Sequence, residues 1–140
     1  MDKDSLKNIE HEVTVFVRRI VLSDKQHRRL ERSAYVILRQ LSIQGPAGVK
    51  SLAENLHLDI STISRQAAAL EKRNYVEKIP NPEDGRSYFY RITEPGVHEL
   101  DENKQRRYQK LEAALSDWSD EEKRTFADLL KKYNQTVEKI

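Results

Sequence analysis

Apolar residues recur at steps of three and four along the first third of the chain. Leu6, Ile9, Val13, Phe16 and Ile20 form one stripe, and Leu30, Ala34, Ile37, Leu38 and Leu41 form a second. This spacing lines one face of an α-helix. Ser23-Asp24 is expected to interrupt the first helix, and Gln44-Gly45-Pro46 reads as a stop for the second. A short helix is predicted from about Val49 to Leu56, with Leu52 and Leu56 inward. Another follows from Ile60 to about Arg73, with Asp59 as its N-cap. Beyond Asn74 the period changes. Residues 75–79 and 87–92 are rich in β-branched and aromatic types, and Pro80-Asn81-Pro82-Glu83-Asp84-Gly85-Arg86 lies between them. That pattern predicts a hairpin with a long tip.

Thr93 is placed to cap a helix from about Glu94 to Leu115, with Pro95 tolerated in its first turn. Its apolar positions are Val97, Leu100, Tyr108, Leu111 and Leu115, and residues 101–107 read as a wet face. Ser119-Asp120-Glu121-Glu122 is a capping box. The last helix carries Phe126, Leu129, Leu130, Tyr133, Val137 and Ile140.

The predicted fold class is therefore mainly α (α+β), in the order α-α-α-α-β-β-α-α. It is a winged helix-turn-helix with long N- and C-terminal dimerisation helices. The expected division is an N-terminal dimerisation helix over 1–28, a winged helix-turn-helix DNA-binding domain over 29–93, and C-terminal dimerisation helices over 94–140. The terminal stripes have no obvious cover elsewhere in the chain, so a second copy is the simplest partner. The alternative is a monomeric bundle in which these helices fold back.

Within Ile60–Arg73, a wheel at 3.6 residues per turn puts Ile60, Ile63, Ala67 and Leu70 inward. Ser61, Thr62, Arg65, Ala68, Ala69 and Lys72 face out. Small side chains let a helix approach a groove floor, where alanine and threonine methyls can touch a thymine methyl. Arg65 has the fork that pairs with guanine O6 and N7. Ser61, Thr62 and Ser64 stand near the helix start, where hydroxyls and free amides suit phosphates. The bland alternative is that the alanines are good helix formers and Arg65 a solvated charge. At the wing, Gly85 is expected to permit the turn between Asp84 and Arg86. Arg86 suits a narrow minor groove, whose negative potential attracts arginine. Asp84 has the wrong charge for phosphate, so its expected role is to hold Arg86 or a tip amide. An ordinary surface ion pair is the alternative.

With 140 residues, 37% hydrophobic and 34% charged, the chain builds only a modest core. A net charge of +2 does not by itself mark a polyanion binder. The local distribution says more: Arg18, Arg19, Lys25, Arg28, Arg29, Arg32 and Arg39 stand against only Asp24 and Glu31. The absence of cysteine excludes disulfides, thiolate nucleophiles, cysteine-ligated zinc and thiol redox sensing. It fits a cytoplasmic location. Met1-Asp2-Lys3-Asp4 opens polar, with no secretory h-region after it. Val13–Leu22 is broken by Arg18-Arg19 and cannot span a bilayer.

No enzyme is expected. His11-Glu12 lacks a second histidine four residues on, and four glycines build no phosphate loop. His11, His27, His57 and His98 could in principle meet across a dimer, with Glu12 or Glu99 nearby, but none has a ligand-like spacing, so neither metal nor cofactor is expected.

Three patterns in order resemble the MarR family of bacterial transcription regulators. They are Leu52-Ala53-Glu54, then Ser61-Thr62-Ile63-Ser64-Arg65 with Leu70-Glu71, then Pro82-Glu83-Asp84-Gly85-Arg86 ending in Arg91-Ile92-Thr93. The family's wing pattern is aspartate, any residue, arginine, five residues, then leucine-threonine. Asp84, Arg86 and Thr93 match it, and Ile92 stands in for leucine. His57 sits in the turn where many relatives have glycine, and histidine tolerates a positive φ better than most residues.

The resemblance implies a homodimer interlocked through the first and last two helices and bound to a palindromic operator. It places the Ile60–Arg73 helix in the major groove and Arg86 in the minor groove. It implies a repressor released by a small phenolic or anionic effector, for which Tyr35, Tyr108 and the arginines of the first two helices are candidate lining residues. The other reading of the tyrosines is as core. A protein-interaction module that never touches DNA is the alternative function, because fold alone does not fix function.

Overall fold

The computed structural model describes residues 2–27 and 30–140, and the side chains of all of these except 23–27. Arg28, Arg29, the expected boundary at 28/29 and the side chains of Lys25 and His27 lie outside the described residues. The elements are α1 (Lys3–His27), α2 (Arg32–Gln44), α3 (Val49–Leu56), α4 (Ile60–Lys72), β1 (Val76–Asn81), β2 (Asp84–Ile92), α5 (Glu94–Ala114) and α6 (Asp120–Glu138). Their order is the predicted one. The chain divides into two compact units, Met1–Asn103 and Lys104–Ile140.

In the first unit, α2, α3 and α4 close on one core. Ile37, Leu38 and Leu41 come from α2, Leu52 from α3, and Ile63, Ala67 and Leu70 from α4; Val76 and Tyr90 of the wing and Leu100 of α5 complete it. α1 runs for 25 residues, straight through Ser23-Asp24. Serine and aspartate are weak helix formers but lack the ring of proline, so they do not break a helix as proline does. Gly45 ends α2 at φ 86, a conformation that strains any residue with a Cβ, and its N–H bonds the Leu41 carbonyl at 3.0 Å. His57 ends α3 in the left-handed region, at φ 54 and ψ 43.

The wing is tighter than the sequence predicts. β1 and β2 pair antiparallel from Val76↔Ile92 to Asn81↔Asp84, with an irregularity at Pro80/Asn81, so only Pro82-Glu83 remain outside the pairing. The Asn81 side chain closes this short turn. Its Oδ1 accepts the Glu83 N–H at 2.9 Å and its Nδ2 donates to Ser87 Oγ at 3.0 Å. The cluster that resembles a loop in sequence thus supplies the bonds of a tight turn. Gly85 has no positive φ, and a Cβ there would meet open space, so the turn does not require glycine at that position. Ala47 adds a single bridge to the far edge, exchanging bonds with Tyr90 at 3.1 and 2.9 Å.

Thr93 joins wing to helix. Its Oγ1 accepts the Gly96 N–H at 3.1 Å and donates to the Asn74 carbonyl at 2.7 Å. Gly96 lies against that junction: a Cβ there would stand 2.1 Å from the Tyr75 carbonyl oxygen, so only glycine fits. The stretch read as a wet face on α5 is not uniformly wet. Asn103 is buried and bonds back to Glu99.

In the second unit, the Ser119 capping box forms as predicted. Ser119 Oγ accepts the Glu122 N–H at 3.1 Å, and Glu122 Oε1 accepts the Ser119 N–H at 2.9 Å. Trp118 and Phe126 pack with ring centroids 5.3 Å apart. No described residue of α6 is buried. Among the described residues no helix is long and apolar enough to cross a membrane, and no three His, Asp or Glu side chains gather as a metal site would require.

Candidate nucleic-acid interface

α4 starts at Asp59, whose backbone has the extended conformation of an N-cap and whose carbonyl takes the Ile63 N–H at 3.0 Å. The Asp59 side chain makes no capping bond, contrary to the role expected for it. The helix then sorts its residues by face. Ile63, Gln66, Ala67 and Leu70 are buried against the core. Ser61, Ser64, Arg65, Ala68, Ala69 and Lys72 are exposed, and Thr62 is half-buried.

The outward face is therefore the one the sequence describes: two alanines between an arginine, a lysine and a group of hydroxyls. Ile60 is the exception. It is 55% exposed rather than inward, because it is the first residue of the helix and sits at the edge of the buried stripe. Gln66 takes an inward place that the hydrophobic pattern does not anticipate.

The wing presents Arg86 with its side chain 95% exposed. Asp84 braces it from below: Asp84 Oδ1 accepts the Arg86 N–H at 3.0 Å and lies 3.6 Å from Arg86 Nε. Asp84 thus orders the tip while the guanidinium projects beyond it. The strands behind the tip are stiffened by cross-strand contacts. Arg91 is ion-paired with Glu77, and Lys78 Nζ stands 4.4 Å from the centre of the Tyr88 ring. Tyr88 meets Tyr90 edge to face at 5.5 Å. Burial, with Tyr88 beside it, pushes the Tyr90 phenol up to about 12, so Tyr90 is a neutral packing group. Exposed arginine, lysine and hydroxyl groups on a helix with a stiff arginine-tipped finger match the two parts of a duplex reader, one for each groove.

The MarR family model matches residues 30–88. Over 137 residues, 96% of each chain, the sequence is 44% identical to the HTH-type transcriptional regulator YxaD of Bacillus subtilis (strain 168). The chain belongs to the MarR family. Solved MarR structures share its fold. A MarR family protein from Bacillus stearothermophilus superposes with a TM-score of 0.82 at 21% identity, over 98% of both chains. The MarR family transcription regulator SP03579 does so with 0.83 at 19%, over 99% of this chain and 93% of that one. As a MarR member the chain is a DNA-binding transcriptional regulator, which sets aside the interaction-module alternative. The family consists of transcription regulators rather than enzymes.

The candidate effector residues lie in different settings. Tyr35 is buried in the core of the first unit, whereas Tyr108 is 55% exposed on the part of α5 that belongs to the second. A cavity of about 580 Å³ opens between the start of α3 and the wing, lined by Gly48, Val49, Lys50, Ser51, Glu54, Asn81, Ser87, Tyr88 and Phe89. Neither tyrosine lines it.

Proposed function

We propose that this MarR protein is a homodimeric repressor that binds a palindromic operator. α4 lies in the major groove of each half-site. There Arg65 reads guanine, Ala68 and Ala69 allow close approach to the base edges, and Ser61, Thr62, Ser64 and Lys72 hold phosphate. Arg86, ordered by Asp84, enters the adjacent minor groove. The half-sites stand about 34 Å apart, one helical turn. The dimer forms through α1 and the C-terminal helices, the division expected from the sequence. A small phenolic or anionic compound releases the DNA, with Tyr108 the stronger of the two candidate contacts because its ring reaches solvent. The protein works in the bacterial cytoplasm.

The observation that carries this reading is the two-sided sorting of α4 beside a projecting Arg86: one face is sealed in the core and the other is open, small and basic. Fluorescence anisotropy tests it, using a duplex enriched from a random library and a random-sequence duplex. Preference for the enriched duplex should be about 10³-fold or more at physiological salt. The logarithm of affinity should fall with the logarithm of salt by about 0.9 for each phosphate neutralised. Equal affinity for both duplexes removes sequence reading. A series of small phenolic carboxylates that never weakens operator binding removes the effector.

A further inference from the structure

Gln66 and Asn103 are the buried polar side chains among the described residues, and they are satisfied in opposite ways. Asn103 bonds within α5, its Nδ2 donating to the Glu99 carbonyl at 2.8 Å and to Glu99 Oε1 at 3.0 Å. Gln66 reaches out of its helix. Its Nε2 donates to Glu31 Oε2 at 2.7 Å, across 35 residues of sequence. Glu31 is the N-cap residue of α2, and its carbonyl holds the Tyr35 N–H at 2.9 Å. Its carboxylate makes no capping bond to α2. A fixed point at the head of α2 is thus tied directly to the back of α4.

The placement of this tie matters. On a wheel, Ile63, Ala67 and Leu70 point in a common direction, and Gln66 lies roughly 65° to one side of it. Apolar packing is non-directional. Ile63, Ala67 and Leu70 press α4 onto the core but specify its rotation about its own axis less sharply than a directional bond does. A charge-assisted hydrogen bond is short and directional, and one set off-centre resists that rotation. A roll of roughly 20° would move a group at the helix surface, about 5–6 Å from the axis, by about 2 Å. That displacement breaks a base-edge hydrogen bond, whose distance tolerance is about 0.5 Å. Flexible contacts to phosphates absorb it.

We infer that Gln66 is a positioning residue for sequence reading. Its bond to Glu31 sets the roll of α4, and so governs discrimination between DNA sequences rather than affinity for DNA in general. This rests on the proposed seating of α4 in the major groove. The test uses the full chain and the same two duplexes. Gln66→Leu keeps most of the volume and removes the donor. Glu31→Gln keeps an acceptor oxygen, and Glu31→Ala removes it at an exposed position.

Gln66→Leu should lower the ratio of enriched to random affinity about tenfold, which is what a single bidentate pairing with a base edge supplies. Its affinity for random duplex should stay within about twofold, and its unfolding midpoint should not fall, since the Glu31 carboxylate left without its donor is exposed and is hydrated instead. Glu31→Ala should match it, the double variant should be no worse than either single one, and Glu31→Gln should retain the ratio. An unchanged ratio in a folded Gln66→Leu protein overturns the inference, as does an equal loss on both duplexes. Should Gln66→Leu fail to fold, Glu31→Ala decides by the same ratio. If the wild type itself shows no preference between the duplexes, the seating of α4 fails first and the tie loses its purpose with it, an outcome visible without any variant.

Discussion

The winged helix and the helices at the two ends of the chain use the same helical periodicity to different ends. In the first, Ile37, Leu38, Leu52 and Ile63 are fully enclosed by neighbours from α2, α3, α4 and the wing. In the second, the stripes are as regular and remain open. Phe16 on α1 is 56% exposed and Leu129 on α6 is 58% exposed, with Leu6, Ile9, Val13, Leu130, Tyr133 and Val137 in the same condition. A stripe repeated over several turns is too much apolar surface to leave in water without a reason. Periodicity therefore announces a buried face but not who buries it. One region closes its core within itself. The other leaves its stripes open, and a second copy is the proposed cover. Substitutions in each region should separate the two, from the largest expected effect to the smallest.

The sharpest break comes from charging the open stripe. Leu129→Glu should leave the winged helix folded, because no core residue of that unit is touched. It should convert dimer to monomer in sedimentation experiments. Operator affinity should fall by about 10²–10⁴-fold, the avidity that disappears when the two half-site readers are no longer linked. A variant with unchanged mass and unchanged affinity would reduce the stripe to ordinary surface.

The closed region predicts the opposite pattern. Leu70→Ala removes a fully enclosed side chain from α4. It should lower stability to urea by about 2–5 kcal/mol, from the missing transfer energy and a residual cavity, with dimer mass unchanged while the protein remains folded. A loss of under about 1 kcal/mol would mean that the site collapses freely and that α4 is not anchored there.

The outward face of the same helix comes next. Arg65→Ala should weaken binding to the enriched duplex by about 1–3 kcal/mol and leave random duplex nearly unaffected. An equal loss on both would move Arg65 from a base edge to a phosphate. Arg86→Ala should matter most where the minor groove is narrow and A·T-rich. No loss there would remove the wing from the interface.

These positions also mark what the sequence could and could not tell. Element order, the outward group on α4, the Asp84–Arg86 brace and the Ser119 box were all legible, because each depends on residues close together in the chain. The differences share another cause. Ser23-Asp24 does not break α1, since polar residues only weaken a helix. The wing tip is shorter than its proline, asparagine and glycine content suggests, because Asn81 supplies its side chain to the turn. Ile60 turns outward and Gln66 inward at opposite edges of the buried stripe, where a hydropathy pattern is ambiguous and the partner, Glu31, is 35 residues away. A glutamine at an inward wheel position was the one available signal for that contact.

The smallest effect separates two helix starts that look equivalent in sequence. Asp59 precedes α4 in the closed region and Ser119 precedes α6 in the open one. Both are preferred N-cap types. Only Ser119 makes the bond, and Glu122 returns it. The Asp59 side chain makes none, and α4 is held instead by Ile63, Ala67 and Leu70 in the core. A helix with no buried residue of its own depends on its cap; one bolted into a core does not. Ser119→Ala should therefore cost about 1 kcal/mol in thermal or urea unfolding. Asp59→Ala should stay within about 0.5 kcal/mol, as surface substitutions without a specific contact do. The two should differ most in a monomeric Leu129→Glu background, where α6 has no partner to hold its first turn and the capping bonds carry more of its stability. Equal losses at both positions would show that Asp59 caps α4 in solution, and that the first turn of the reading helix is held by its own side chain as well as by the core beneath it.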